Sequence, residues 1–116
     1  MWFADLTDGR QPFKKGIMKG IGEWYCATWW QQRAEQVSRS TGSDCDQTCD
    51  VIINEMKAKG LQPGIDFVAM YGDVYGKKDI AYVRHMALEM FGRYRVDGTS
   101  RNAKMIGLWK GQYKNV

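Results

Sequence analysis

Between Ser43 and Pro63 the chain carries both the start and the stop signals of one helix, and no other feature constrains the fold as tightly. Ser43 or Asp44 supplies a capping oxygen, and Asp46 and Asp50 place negative charge near the positive end of the helix dipole. Lys57 and Lys59 lie in the last turn, Gly60 suits a left-handed stop, and Pro63 prevents continuation. The spacing predicts a helix over 45–59 with Cys45, Cys49, Ile52, Ile53 and Met56 on one arc, the arc that should meet the core.

The same periodicity predicts a first helix over 21–38, where Cys26, Ala27, Trp30, Ala34 and Val37 share a narrow stripe. Trp24 lies on another face, so that helix is apolar nearly all round at its start, which favours burial of Trp24 there. A third helix is expected over 79–95, with Ile80, Val83, Ala87, Met90 and Tyr94 as its stripe and His85 and Glu89 on the polar side. Between Pro63-Gly64 and Gly72-Asp73, residues 65–71 alternate loosely and read as a strand. That strand needs a partner, with residues 1–19 or the C-terminal segment as candidates. The tail after Asp97-Gly98 reads as a fourth helix, with a strand over 104–109 as the alternative. Residues 1–19 form an N-terminal arm clamped by Trp2, Phe3, Phe13 and Ile17. The expected fold is therefore α+β but mostly helical: three or four helices and a small two-stranded element in a single compact domain over 1–116.

Composition agrees with that class. The 116 residues suit one domain, and 44% apolar with 26% charged residues exclude disordered and coiled-coil chains. No apolar run approaches the ~20 residues of a membrane span. Met1-Trp2-Phe3 is followed at once by Asp5, Asp8 and Arg10, so no secretory leader is expected. Three cysteines are an odd number, which favours free thiols in a cytoplasmic setting.

Charge is segregated. Residues 1–60 are balanced, and the whole excess of +4 falls in 61–116, with a basic C-terminal segment over 96–116. Arg84, Arg93, Arg95, Arg101, Lys104 and Lys110 are interleaved there with Phe91, Tyr94, Trp109 and Tyr113. Basic residues alternating with aromatics suit phosphates and base faces, so these six are the candidate nucleic-acid-binding residues. A helix-turn-helix over 79–113 fits poorly, since the connection 95–99 is longer than the tight turn requires; its recognition residues would be Ser100, Arg101, Asn102 and Lys104. A second candidate surface is the ridge Tyr25, Trp29 and Arg33 at i, i+4, i+8, which would anchor a protein partner unless the N-terminal arm covers it.

Enzyme chemistry finds little footing. Zinc has the right ligand types in Cys26, Cys45, Cys49 and His85, but their spacing is poor and helical phase sends the cysteines to the core. His85, the one histidine, sits on the expected polar arc, away from the thiols a Cys–His pair would need, and reads as half of a solvated pair with Glu89. Glu55 and Lys57 point apart on a helix, unlike the strand-borne acids of metal nucleases. Gly76-Lys77-Lys78-Asp79 lacks the longer glycine loop of a nucleotide site. The sequence thus predicts a non-enzymatic binding protein without cofactor or metal, whose basic, aromatic C-terminal third engages nucleic acid or a nucleoprotein. The rivals are a phage- or mobile-element-encoded inhibitor or adaptor of a host protein, such as a defence complex, acting through Tyr25, Trp29 and Arg33, and a virion or assembly component.

Overall fold

Two helices lie over one face of an antiparallel sheet in this computed structural model, which describes residues 9–11, 16–75, 82–99 and 106–112. Helix α1 spans Gly16–Thr41 and α2 spans Cys45–Ala58; strands β1 (Phe67–Tyr75), β2 (Tyr82–Met90), β3 (Tyr94–Val96) and β4 (Ile106–Gln112) follow. The strand order is β3-β2-β1-β4, every neighbour antiparallel.

Helix α2 starts and stops for the reasons its sequence contains. Asp44 is the N-cap, its side chain accepting from the Gln47 amide, while the Gln47 side chain accepts from the Asp44 amide, a reciprocal capping box. Its inward arc buries Cys49, Ile52, Ile53 and Met56, and α1 buries Cys26, Ala27, Trp30, Ala34 and Val37. These two stripes meet Phe67, Ala69, Met86, Leu88, Met90 and Val96 of the sheet in one core. Register explains why those strand residues gather: Phe67 faces Met90, Ala69 faces Leu88, and Leu88 faces Val96 on the next strand, so alternate residues fall on one face. Trp30, Ile52, Met56, Phe67, Leu88 and Met90 are essentially sealed from water. Each large side chain so buried contributes about 1.5–3 kcal/mol of transfer free energy.

The mostly helical expectation is overturned, among the described residues, from Tyr82 onward. The segment expected as a third helix is instead strand β2, a turn and strand β3. Its apolar residues do recur at helical intervals, but Met86, Leu88 and Met90 share the core face of a strand while His85 and Ala87, on alternate positions, are buried as well. A strand buried on both faces loses the polar alternation that marks strands. The turn between β2 and β3 is written at Phe91-Gly92, both at positive φ (56° and 68°), with the Arg93 amide donating to the Met90 carbonyl at 3.0 Å. Two successive left-handed residues match the right-handed twist of the flanking strands and close the hairpin. The tail, read first as a fourth helix, pairs with β1 as β4, so the alternative strand reading holds, shifted to 106–112. Strand 65–71 is present as 67–75, between β2 and β4. No helix among the described residues is long and apolar enough to cross a membrane.

Candidate nucleic-acid interface

The exit of β3 is fastened to the middle of α1. Gln31 Nε2 donates to the Asp97 carbonyl (2.9 Å) and Gln31 Oε1 accepts from the Asp97 amide (2.7 Å). Gly98 then passes so close to α1 that a Cβ built there would lie 2.3 Å from the Ala34 carbonyl oxygen. Behind this junction the Asp97 carboxylate is buried. One oxygen accepts from His85 Nε2 and faces Arg95 at 3.6 Å; the other accepts from the Thr99 amide (3.1 Å) and hydroxyl (3.2 Å). A buried carboxylate needs this much compensation.

Where α1 and β3 meet, an open groove of about 410 Å³ is left, lined by Trp24, Ala27, Thr28, Gln31 and Gln32 on the helix and by Arg93, Tyr94 and Arg95 opposite. The helical contribution is one stripe at i, i+3, i+4, i+7 and i+8. Trp24 is 49% exposed and meets Tyr25 edge-on at 4.6 Å between centroids. Arg93 lies over the Tyr94 ring at 5.7 Å, which holds a cation against an aromatic wall. Arg95 remains substantially exposed although it also reaches the buried Asp97. Cation, aromatic face and amide therefore share one concave seam, a combination suited to phosphate and base.

Of the six basic residues singled out in the sequence, Arg93 and Arg95 come together in this groove. Arg84 lies on β2 opposite Asp73 and Lys110 on β4, by backbone register, their side chains outside the described residues; Arg101 and Lys104 also lie outside them. So do the arm residues Trp2, Phe3 and Phe13, the loop 76–79, and Ser100 and Asn102. With β2 a strand, neither the helix expected after that loop nor a helix-turn-helix over 79–113 forms.

The ridge Tyr25, Trp29 and Arg33 is largely engaged within the protein. Arg33 makes a two-point contact with Glu55 on α2, Nε to Oε1 and Nη2 to Oε2, both 2.8 Å. Those bonds raise the Arg33 pKa and lower that of Glu55. Trp29 packs edge-on to Trp30, carries the Lys59 ammonium 4.4 Å above its ring, and is approached so closely by Gly9 that a Cβ there would fall 2.8 Å from the ring. Gly9 and its neighbours are held in turn: Trp30 Nε1 donates to the Gly9 carbonyl (2.7 Å), Cys26 Sγ to the Arg10 carbonyl (3.1 Å), and Gln11 to the buried Asp66 carboxylate. Of the covering expected from the N-terminal arm, the described residues show Gly9 against Trp29; Trp2 and Phe3 lie outside them.

Three expectations about single residues are corrected. Trp24, expected in the core, is the aromatic left at the groove. His85, expected on a solvated face beside Glu89, is 5% exposed and bonded to Asp97, because its segment is a strand and the i, i+4 geometry does not exist there. Cys45, on the expected core arc, packs against the core as expected but is half-buried rather than buried. All three cysteines are free, and Cys49 Sγ donates to the Met86 carbonyl at 3.6 Å rather than to His85. Burial pushes the Cys26 thiol up to about 12 and the Cys49 thiol higher still, so both are protonated at neutral pH. Among the described residues no three His, Cys, Asp or Glu side chains converge as metal ligands would.

Sequence reasoning missed Trp24, Gln31 and Gln32. A signal existed in the stripe 24, 27, 28, 31, 32, which runs beside the buried stripe and mixes one tryptophan with amides and a hydroxyl. No known protein family, curated protein or solved structure matches the chain.

Proposed function

We propose that this chain is a small, non-enzymatic nucleic-acid-binding protein of the cytoplasm, alone or within a nucleoprotein, and that the groove between α1 and β3 is its contact surface. The observation that supports this reading is the half-exposed Trp24 facing Arg93 and Arg95 across a concave seam. Arginine neutralises phosphate and releases counterions, and an accessible indole offers a stacking plane. The basic surplus of 61–116 supplies the longer-range attraction. The rival reading, an inhibitor or adaptor anchored on Tyr25, Trp29 and Arg33, has less support, since Arg33 is committed to Glu55 and Trp29 is roofed by Gly9 and Lys59.

Anisotropy of labelled oligonucleotides across a salt series tests the proposal. Affinity should fall steeply with salt, and Arg93→Gln and Arg95→Gln should each weaken binding and reduce the salt slope by about one. Absence of retention on any oligonucleotide at low salt would refute it.

A further inference from the structure

Resting on the nucleic-acid reading, we infer that the groove takes a single strand rather than a duplex, with one unpaired base stacked on Trp24, its backbone phosphate on Arg93, and Gln32 at the base edge. Size and concavity argue first. A space of about 410 Å³ suits one nucleoside-sized group, within the range of small-ligand pockets. A duplex, whose major groove alone is ~12 Å wide, meets proteins through inserted helices or ribbons, not by entering a seam of this kind.

The nature of the wall argues second. Inside a duplex both faces of a base are covered by its neighbours, so a stacking plane is useful only to a base already out of the stack. Trp24 offers such a plane: it lines the groove at 49% exposure, with the Tyr25 ring set near-perpendicular to it.

The polar groups then divide by what already occupies them. Gln31 spends its amide on the Asp97 backbone and fixes the groove's width. Gln32, one residue on and exposed, presents a donor and an acceptor on the same lining, the pair a base edge requires. Arg95 shares its charge with buried Asp97, whereas Arg93 has its guanidinium over Tyr94 at the open side. Arg93 is therefore the principal phosphate contact and Arg95 the secondary one.

The test uses the full chain with three labelled probes: a short oligothymidylate, the same strand annealed to oligoadenylate, and a polyglutamate of equal charge. The single strand should bind most tightly at moderate salt. Trp24→Ala should weaken the single strand by roughly ten-fold or more and leave the duplex nearly unchanged, with Trp24→Phe recovering part of the loss. Arg93→Gln should weaken both nucleic acids, and more than Arg95→Gln does. Equal affinity for duplex and strand, or indifference of the strand to Trp24→Ala while Arg93→Gln still weakens it, overturns the single-strand inference and leaves the nucleic-acid reading standing. Binding of neither nucleic acid at low salt, or polyglutamate bound as tightly as the strand, overturns both.

Discussion

Replacing Gly98 with alanine is the sharpest test of how the groove is held together. Its φ is not in the left-handed region, so alanine is conformationally acceptable there. On backbone grounds alone the change should stabilise by ~0.4–1 kcal/mol, through a less flexible unfolded chain. The sign is reversed by space. The added methyl would sit 2.3 Å from the Ala34 carbonyl oxygen, 2.6 Å from its carbon and 3.1 Å from the Glu35 nitrogen, all backbone atoms of α1 that no rotamer change can move. Carbon contacts need about 3.5 Å, so β3 must retreat from α1 by roughly 1 Å. Overpacking of this kind costs about 1–3 kcal/mol. The same retreat stretches the two Gln31–Asp97 bonds, now 2.9 and 2.7 Å, each worth about 0.5–1.5 kcal/mol. A net loss of ~3 kcal/mol is expected, read as a lower urea midpoint at unchanged slope and a Tm lowered by about 10 °C. Oligonucleotide affinity should fall with it, because the two groove walls part. Gly20→Ala is the matched control: it lies inside α1 with nothing within 4 Å of its added carbon and should gain up to ~1 kcal/mol. A Gly98→Ala protein as stable as the parent would refute the close approach on which the groove rests.

Two further outcomes concern regions away from the groove. Arg33→Gln should cost no more than ~1 kcal/mol at pH 7, since the pair with Glu55 is about one-third exposed. The hydrogen bonds from Arg33 hold the Glu55 carboxyl below its ordinary value, so this contribution is present above about pH 4.3 and is lost as pH falls through the lowered value. Parent and variant should therefore converge in acid melts, and a difference that stays constant down to pH 3 would exclude the contact. Brief alkylation of the folded protein near pH 8, followed by mass spectrometry, should modify Cys45 first, as it is half-buried while Cys26 and Cys49 are buried. Equal labelling of all three thiols before unfolding would contradict that packing.

The first half of the chain was legible because its signals are local. The capping box around Asp44 and Gln47, and the stripes Cys26–Val37 and Cys49–Met56, depend only on residues within a few turns of one another. The second half was not, because β2 is covered on both faces and its apolar spacing imitates a helix. What distinguishes it is long-range: the register of nine pairs with β1, from Phe67↔Met90 to Tyr75↔Tyr82. Phe91-Gly92 was the available hint of a turn, though a phenylalanine at positive φ is unusual enough to weaken it. The groove suffered the same fate. Arg93 and Arg95 stood out by charge, but only the strand geometry of 94–96 and the Gln31–Asp97 clasp bring them opposite Trp24.

That clasp joins positions 66 residues apart, and it sets when the groove comes into being. Contacts of such separation form late, after the loop between them has closed. A chain ending short of Asp97 would lack the clasp, so neither of the two arginines would be fixed across from Trp24. Binding of the proposed oligonucleotide would then report the closing of this long-range contact as well as the function.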